Sequence, residues 1–133
     1  MVRTVMSSRH GFQWVLFALA LVVVATALAD IAVGPSVLPG RPEAGPTLDS
    51  NYRFFAGVWC AVGIVLLTAL RDVERHALAL RAVFGAVFLG GVARGVSYLA
   101  AGPPHALHTA FIGVELLLPP LLLLWSLRVC RER

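Results

Sequence analysis

Asp30, Arg53, Arg94, His105, His108 and Glu115 carry a charge or an imidazole into stretches of this 133-residue sequence that are otherwise apolar. Glu115 stands about midway along its stretch, and Arg94 lies late in the one before it. A carboxylate in such surroundings has two chemistries open to it. It can pair with a cation and fix the packing of two helices, or it can bind a proton or a ligand because desolvation favours its neutral form. A charge turned toward lipid costs at least about 2.5–3.5 kcal/mol, so Arg94 and Glu115 are expected to face inward and to meet each other or another polar group. Gly91, Arg94, Gly95 and Tyr98 fall on one face at helical spacing, and Gly91-x-x-x-Gly95 lets a second backbone come close beside the arginine. His108, Ile112, Glu115 and Pro119 share a stripe on the next helix, so a cavity that reaches Glu115 also reaches the imidazole.

The remaining motifs are weaker. His105-Ala106-Leu107-His108, taken with Glu115, imitates a metal-ligand set. A single H-x-x-H is more often a pair of interfacial histidines, so no metal and no cofactor are assigned. The same three side chains could also act as acid–base groups on a lipid or quinone. No G-x-S-x-G, P-loop, H-E-x-x-H or dinucleotide fingerprint is present to support naming an enzyme. Asp30 and Arg53 stand near the ends of their stretches, within reach of water, where a solvated pair or a helix cap explains them more simply than a binding site. Pro119 and Pro120 cannot donate to the carbonyls of Glu115 and Leu116, which predicts a bend beside the buried carboxylate.

These residues need helices to position them, and the composition says what solvent those helices meet. The chain is 59% hydrophobic and only 14% charged, against about half and about a quarter in soluble domains. Four apolar runs, at about 12–33, 52–70, 78–100 and 106–127, are each long enough to cross a hydrocarbon layer of roughly 30 Å. They are continuous, not alternating, which excludes barrel strands. The fold class expected is all-α: a four-helix transmembrane bundle, antiparallel and up-down-up-down, forming a single integral membrane domain over residues 1–133.

The connections are read from their breakers. Pro35, Pro39, Pro42 and Pro46 mark residues 34–50 as a long irregular loop, with Asp49 and Ser50 in N-cap position before the second helix. Arg71-Asp72-Val73-Glu74-Arg75-His76 is a short charged turn, and Gly102-Pro103-Pro104 closes the third helix. Counting about 1.5 Å per residue from that end places Arg94 about 6–9 Å deep and Glu115 about 14 Å deep, with Asp30 and Arg53 shallower, all in one half of the bundle.

Charge sets the orientation. The net charge of +4 comes from arginine alone. Arg3, Arg9, Arg71, Arg75, Arg81, Arg128, Arg131 and Arg133 fall on one side of a four-crossing chain, and only Arg41 lies in a loop of the other, so both termini are expected in the cytoplasm. Arginines so placed flank spans and do not form a nucleic-acid surface. Trp14 and Trp125 stand where interface anchors would. Arg3, Arg9 and His10, ahead of an apolar stretch closing on Ala27-Leu28-Ala29, also have the layout of a cleaved secretory signal. Apolar character resumes at Ile31, Ala32 and Val33, and the run exceeds a usual signal core, which favours a retained helix. Cys60 and Cys130 lack paired spacing, and the topology keeps them apart.

Asn51-Tyr52-Arg53-Phe54-Phe55, Gly57 and Gly63, Phe88-Leu89-Gly90-Gly91-Val92-Ala93-Arg94 with Ser97, Gly102-Pro103, and Val114-Glu115-Leu116 make the chain similar to a known family. It resembles the bacterial four-helix integral membrane proteins of the domain of unknown function 4345 family, over most of its length. The resemblance implies a multi-pass protein of the bacterial inner membrane and brings no activity, cofactor or catalytic residue. It draws attention to Arg53, Arg94 and Glu115 as the polar residues inside the matching segments. The expected function is a non-enzymatic membrane module or subunit with a buried Arg94/Glu115 polar cluster, in the company of the lipid bilayer and of a second copy or another membrane protein. The alternative is a small proton-coupled transporter or ligand-binding membrane protein using Glu115, with Arg94, His108, Arg53 and Asp30 around it.

Overall fold

The computed structural model describes residues 2–131, with side chains described from Ser8 to Cys130. Arg3, Arg131 and Arg133, three of the flanking arginines, therefore have side chains outside the described residues. The chain is all-helical among the described residues: α1 (Val2–Val33), a 3-10 turn (Gly34–Val37), α2 (Pro46–Ala69), α3 (Ala77–Ala101) and α4 (Ala106–Arg131). All four α-helices are long and apolar enough to cross a membrane. Each covers one of the four apolar runs, and the differences lie at the ends.

α2 begins at Pro46, earlier than expected, so the irregular segment shrinks to residues 38–45. Proline is at home in the first helical turn, where its missing N–H has no partner to lose and its fixed φ is already helical. Gly45 is the N-cap, with extended backbone and no side-chain cap. Asp49 and Ser50 are thus inside the helix, and the capping role expected of them is corrected. Asp49 instead brings a negative charge to the first turn, where the helix dipole favours it.

α3 ends as expected, at Gly102, whose φ of 89° is closed to residues with a Cβ and whose N–H donates to the Tyr98 carbonyl. α4 runs on to Arg131, past the expected end, and stays helical through Pro119 and Pro120. The charged connection at 71–76 carries one residue of the opposite kind: Val73 is fully buried.

The chain divides into two compact units, residues 13–72 and residues 1–12 with 73–133. In the first, α1 from Gln13 onward packs on α2. Gly63 lies so close to α1 that an added Cβ would sit 2.6 Å from Val24 Cγ2 and 3.3 Å from the Val24 backbone nitrogen. Gln13 Nε2 donates to the Leu70 carbonyl at 2.9 Å, satisfying an acceptor that the end of α2 leaves open.

In the second unit α3 and α4 form a helical hairpin, with Leu80, Phe84, Leu122 and Val129 buried. The start of α1 belongs here too. Trp125 Nε1 donates to Ser8 Oγ at 3.1 Å, its ring meets Phe12 edge-on at 5.4 Å, and Arg9 pairs with Glu74 at 3.2 Å. Trp125 is therefore held by protein, whereas Trp14 is 70% exposed.

Candidate polar sites on the helix pairs

Arg94 and Glu115 meet directly. Arg94 Nε lies 2.9 Å from Glu115 Oε2 and donates its hydrogen bond to Oε1 at 3.2 Å. The approach depends on Gly91, one turn before the arginine. A Cβ there would stand 2.9 Å from Glu115 Cβ and 3.2 Å from both the Glu115 carbonyl carbon and Leu116 Cδ2. Removing a side chain from α3 thus lets the α4 backbone close in, which sets the distance that the arginine has to bridge. Gly95, the other half of the expected small-residue pair, has no atom within 4 Å of an added Cβ, so Gly91 alone makes the close approach.

The pair is less enclosed than the sequence led us to expect. Glu115 keeps 20% of its side chain exposed and Arg94 keeps 44%. Arg94 reaches Glu115 through its Nε with nearly half of its side chain still exposed. Glu115 Oε2 is itself buried and accepts no hydrogen bond among the described residues. It sits near Nε, off the N–H axis. His108 lies two turns before Glu115 on α4, and its ring meets Phe111 edge-on at 5.8 Å.

His105 has a different task. Its Nδ1 accepts from the Leu107 backbone N–H at 3.3 Å, and its carbonyl accepts from His108 and Thr109. It is the N-cap of α4, its ring nitrogen standing in for the usual Ser or Asp oxygen. Among the described residues, no three His, Cys, Asp or Glu side chains converge as metal ligands.

Asp30 and Arg53 belong to the other unit and are held there by separate partners. The Tyr52 hydroxyl donates to Asp30 Oδ1 at 3.0 Å. Arg53 makes a two-point contact with Asp49, Nε to Oδ2 at 2.9 Å and Nη2 to Oδ1 at 3.2 Å, and its Nη1 donates to the carbonyls of Ile31 and Ala32. One guanidinium thus ties the first turn of α2 to the last carbonyls of α1. Gly34 makes room for it: at φ 73°, an added Cβ would stand 2.6 Å from Arg53 Nη2 and 2.7 Å from Asp49 Oδ1. Sequence reasoning missed Asp49, Tyr52 and Gly34 as members of this cluster. Asp49 and Arg53 are four residues apart, the spacing of a helical ion pair, and that signal was available.

The family model described as a domain of unknown function, DUF4345, matches residues 11–126. The chain belongs to that family. The matched region takes in both polar clusters, from Asp30 to Glu115. No curated protein and no solved structure matched the chain.

Proposed function

We propose that this member of the DUF4345 family is an integral membrane protein of the cell inner membrane. In this reading it crosses the bilayer four times as one up-down-up-down domain with both termini in the cytoplasm, and acts as a non-enzymatic module or subunit of a larger membrane assembly. One observation carries the non-enzymatic reading: the side chains best suited to chemistry are already committed to holding helices. Glu115 is paired across the α3–α4 contact, His105 caps α4, Arg53 fastens α1 to α2, and Asp30 accepts from Tyr52.

The membrane reading is supported by where the apolar surface lies. In each candidate span the most apolar 18-residue stretch is no more than 22% buried, and side chains such as Leu78 and Leu99 are 81% and 86% exposed. A water-soluble chain of this size does not leave such area uncovered. The arginine asymmetry supports the orientation.

A double-mutant cycle on unfolding in detergent tests the role of the pair, using Arg94→Leu, Glu115→Leu and the two together. A coupling above about 1 kcal/mol, with the double variant recovering much of the loss, is expected for a pair that holds α3 to α4. Half-exposure keeps the coupling below that of a sealed pair. Coupling near zero would overturn the packing role. It would favour the second reading, proton or ligand binding at Glu115, for which the undonated Oε2 speaks. A reporter fused to the C-terminus should be active only in the cytoplasm.

A further inference from the structure

The α3/α4 hairpin is covered unevenly along its length. Toward the connection at 71–76, Leu80 and Phe84 of α3 and Leu122, Ser126 and Val129 of α4 are buried. In the half nearer the Gly102 turn, beyond Gly91 on α3 and before Pro119 on α4, no described residue is buried. That half carries the Arg94–Glu115 pair, and Arg94 keeps 44% of its side chain exposed. Among the described residues Arg94 donates through Nε alone, so Nη1 and Nη2 have no acceptor.

Ser97, one turn further along α3, is in the same condition. The hydroxyls of Thr26, Thr68 and Ser126 each return to a carbonyl of their own helix. That of Ser97 is exposed and makes no hydrogen bond among the described residues. Gly91 marks the side of α3 that faces α4. Counting about 100° per residue from it places Ala86, Gly90, Ala93 and Ser97 in one stripe turned away from α4, with Arg94 between the stripe and α4. All four are exposed, and a Cβ added at Gly90 would meet no atom within 4 Å. Val92 and Val96 lie on the opposite flank.

We propose that this stripe is the contact between two copies of the chain, related by a two-fold axis along the membrane normal, and that Ser97 of each copy accepts from Arg94 of the other. Hydrocarbon offers the guanidinium no acceptor. Glu115 already balances its charge, so what is missing is an acceptor and not a second anion. A foreign helix bearing a carboxylate would leave a net charge in the apolar layer, whereas Ser97 of a second copy supplies a neutral oxygen. Two-fold symmetry sets the two Arg94 side chains on opposite flanks of the α3–α3 contact, so they do not face each other. Ser97 then lies about 4.5 Å along the axis from Arg94 of the other copy, within reach of so long a side chain. The small residues let the backbones come close enough for that bond to form. The proposal rests on the membrane reading given above, and it names the partner that the module reading leaves open.

Disulfide cross-linking in membranes tests it, in a full chain carrying Cys60→Ser and Cys130→Ser. Ala93→Cys should give a covalent dimer on oxidation, and Val92→Cys, at the same depth but on the opposite flank, should not. In detergent, Ala93→Ile should raise the dimer dissociation constant at least tenfold, since its added bulk lies on the exposed side and leaves the hairpin packed. Ser97→Ala should raise it about sevenfold, the loss of two average interhelical hydrogen bonds.

No cross-link at position 93, or equal cross-linking at 92 and 93, would overturn the proposal. A cross-linked product whose mass is not twice that of the chain would overturn the assignment to a second copy. An unchanged dissociation constant in Ser97→Ala would overturn the bond between Arg94 and Ser97. Alkaline carbonate extraction separates these failures from that of the membrane reading. Protein that stays in the pellet as a monomer refutes only the α3 contact, whereas protein released to the supernatant refutes the reading beneath it.

Discussion

Replacing Gly91 with alanine should loosen α3 from α4, and the neighbouring Gly95 provides the internal control. The Cβ introduced at position 91 would stand 2.9 Å from Glu115 Cβ and 3.2 Å from the Glu115 carbonyl carbon. Carbon atoms settle at about 3.5–4.0 Å, so the closest contact is short by about 0.6 Å or more. Both of those atoms are fixed to the α4 backbone and cannot rotate away as the end of a flexible side chain can. The helices must move apart by several tenths of an ångström, an overpacking cost of about 1–3 kcal/mol, against which the better helix propensity of alanine returns at most about 1 kcal/mol. With the full return the expected net loss is up to about 2 kcal/mol. Gly95→Ala meets no atom within 4 Å and should be neutral or stabilising by up to about 1 kcal/mol. Unfolding of both variants by sodium dodecyl sulfate in mixed micelles, followed by helical circular dichroism, measures the contrast. Glu115→Gln in the Gly91→Ala background should bring no recovery, because the colliding Cβ is retained. The close approach of α3 and α4 is refuted if Gly91→Ala proves as stable as Gly95→Ala.

Further substitutions probe the other contacts. Gly63→Leu should destabilise the α1–α2 pair by at least about 1–3 kcal/mol in the same assay, since even a Cβ would lie 2.6 Å from Val24 Cγ2. Gly34→Ala places a side chain at φ 73°, a backbone cost of about 1–2 kcal/mol, and also displaces Arg53 from Asp49, which protease cleavage in the 38–45 segment should report as faster cutting. Tyr52→Phe removes the donor to Asp30 and should cost about 1 kcal/mol by thermal unfolding. His105→Asn keeps a capping acceptor while His105→Ala does not, so the alanine variant should be less stable by about 0.5–2 kcal/mol, as read by amide exchange in the first turn of α4.

The helices were legible because long apolar runs between breakers admit few other readings, and Arg94 and Glu115 were legible as residues in need of a partner, because a charge so far inside an apolar run must find its opposite or some equivalent. Proline was the main source of error. In the run from Pro35 to Pro46 every proline reads as a helix breaker, yet the last of them begins α2, since a first helical residue needs no N–H. That single misplacement turned Asp49 from the ion-pair partner of Arg53 into a supposed cap. Gly91 and Gly95 are indistinguishable as letters, and only the azimuth of α4 around α3 decides which one is covered. The pair's partial exposure was also beyond the sequence, because the cost of a charge in lipid predicts that it finds a partner and not how well that partner shields it. His105 looked like chemistry because histidine so rarely caps a helix, and the hydrogen bond to Leu107 is what distinguishes the two roles.

The hydrogen bond between Ser8 and Trp125 spans 117 residues of sequence, and it imposes an order in time. Residues 13–72 form a contiguous unit whose ties, from Gln13 to Leu70 and from Arg53 to the end of α1, are complete once α2 has been made. The other unit draws on both ends of the chain. During synthesis Ser8 and Phe12 must therefore wait for Trp125 until α4 emerges, although Arg9 can meet Glu74 earlier. A stall late in translation would leave the α1–α2 pair finished and Ser8 without its tryptophan.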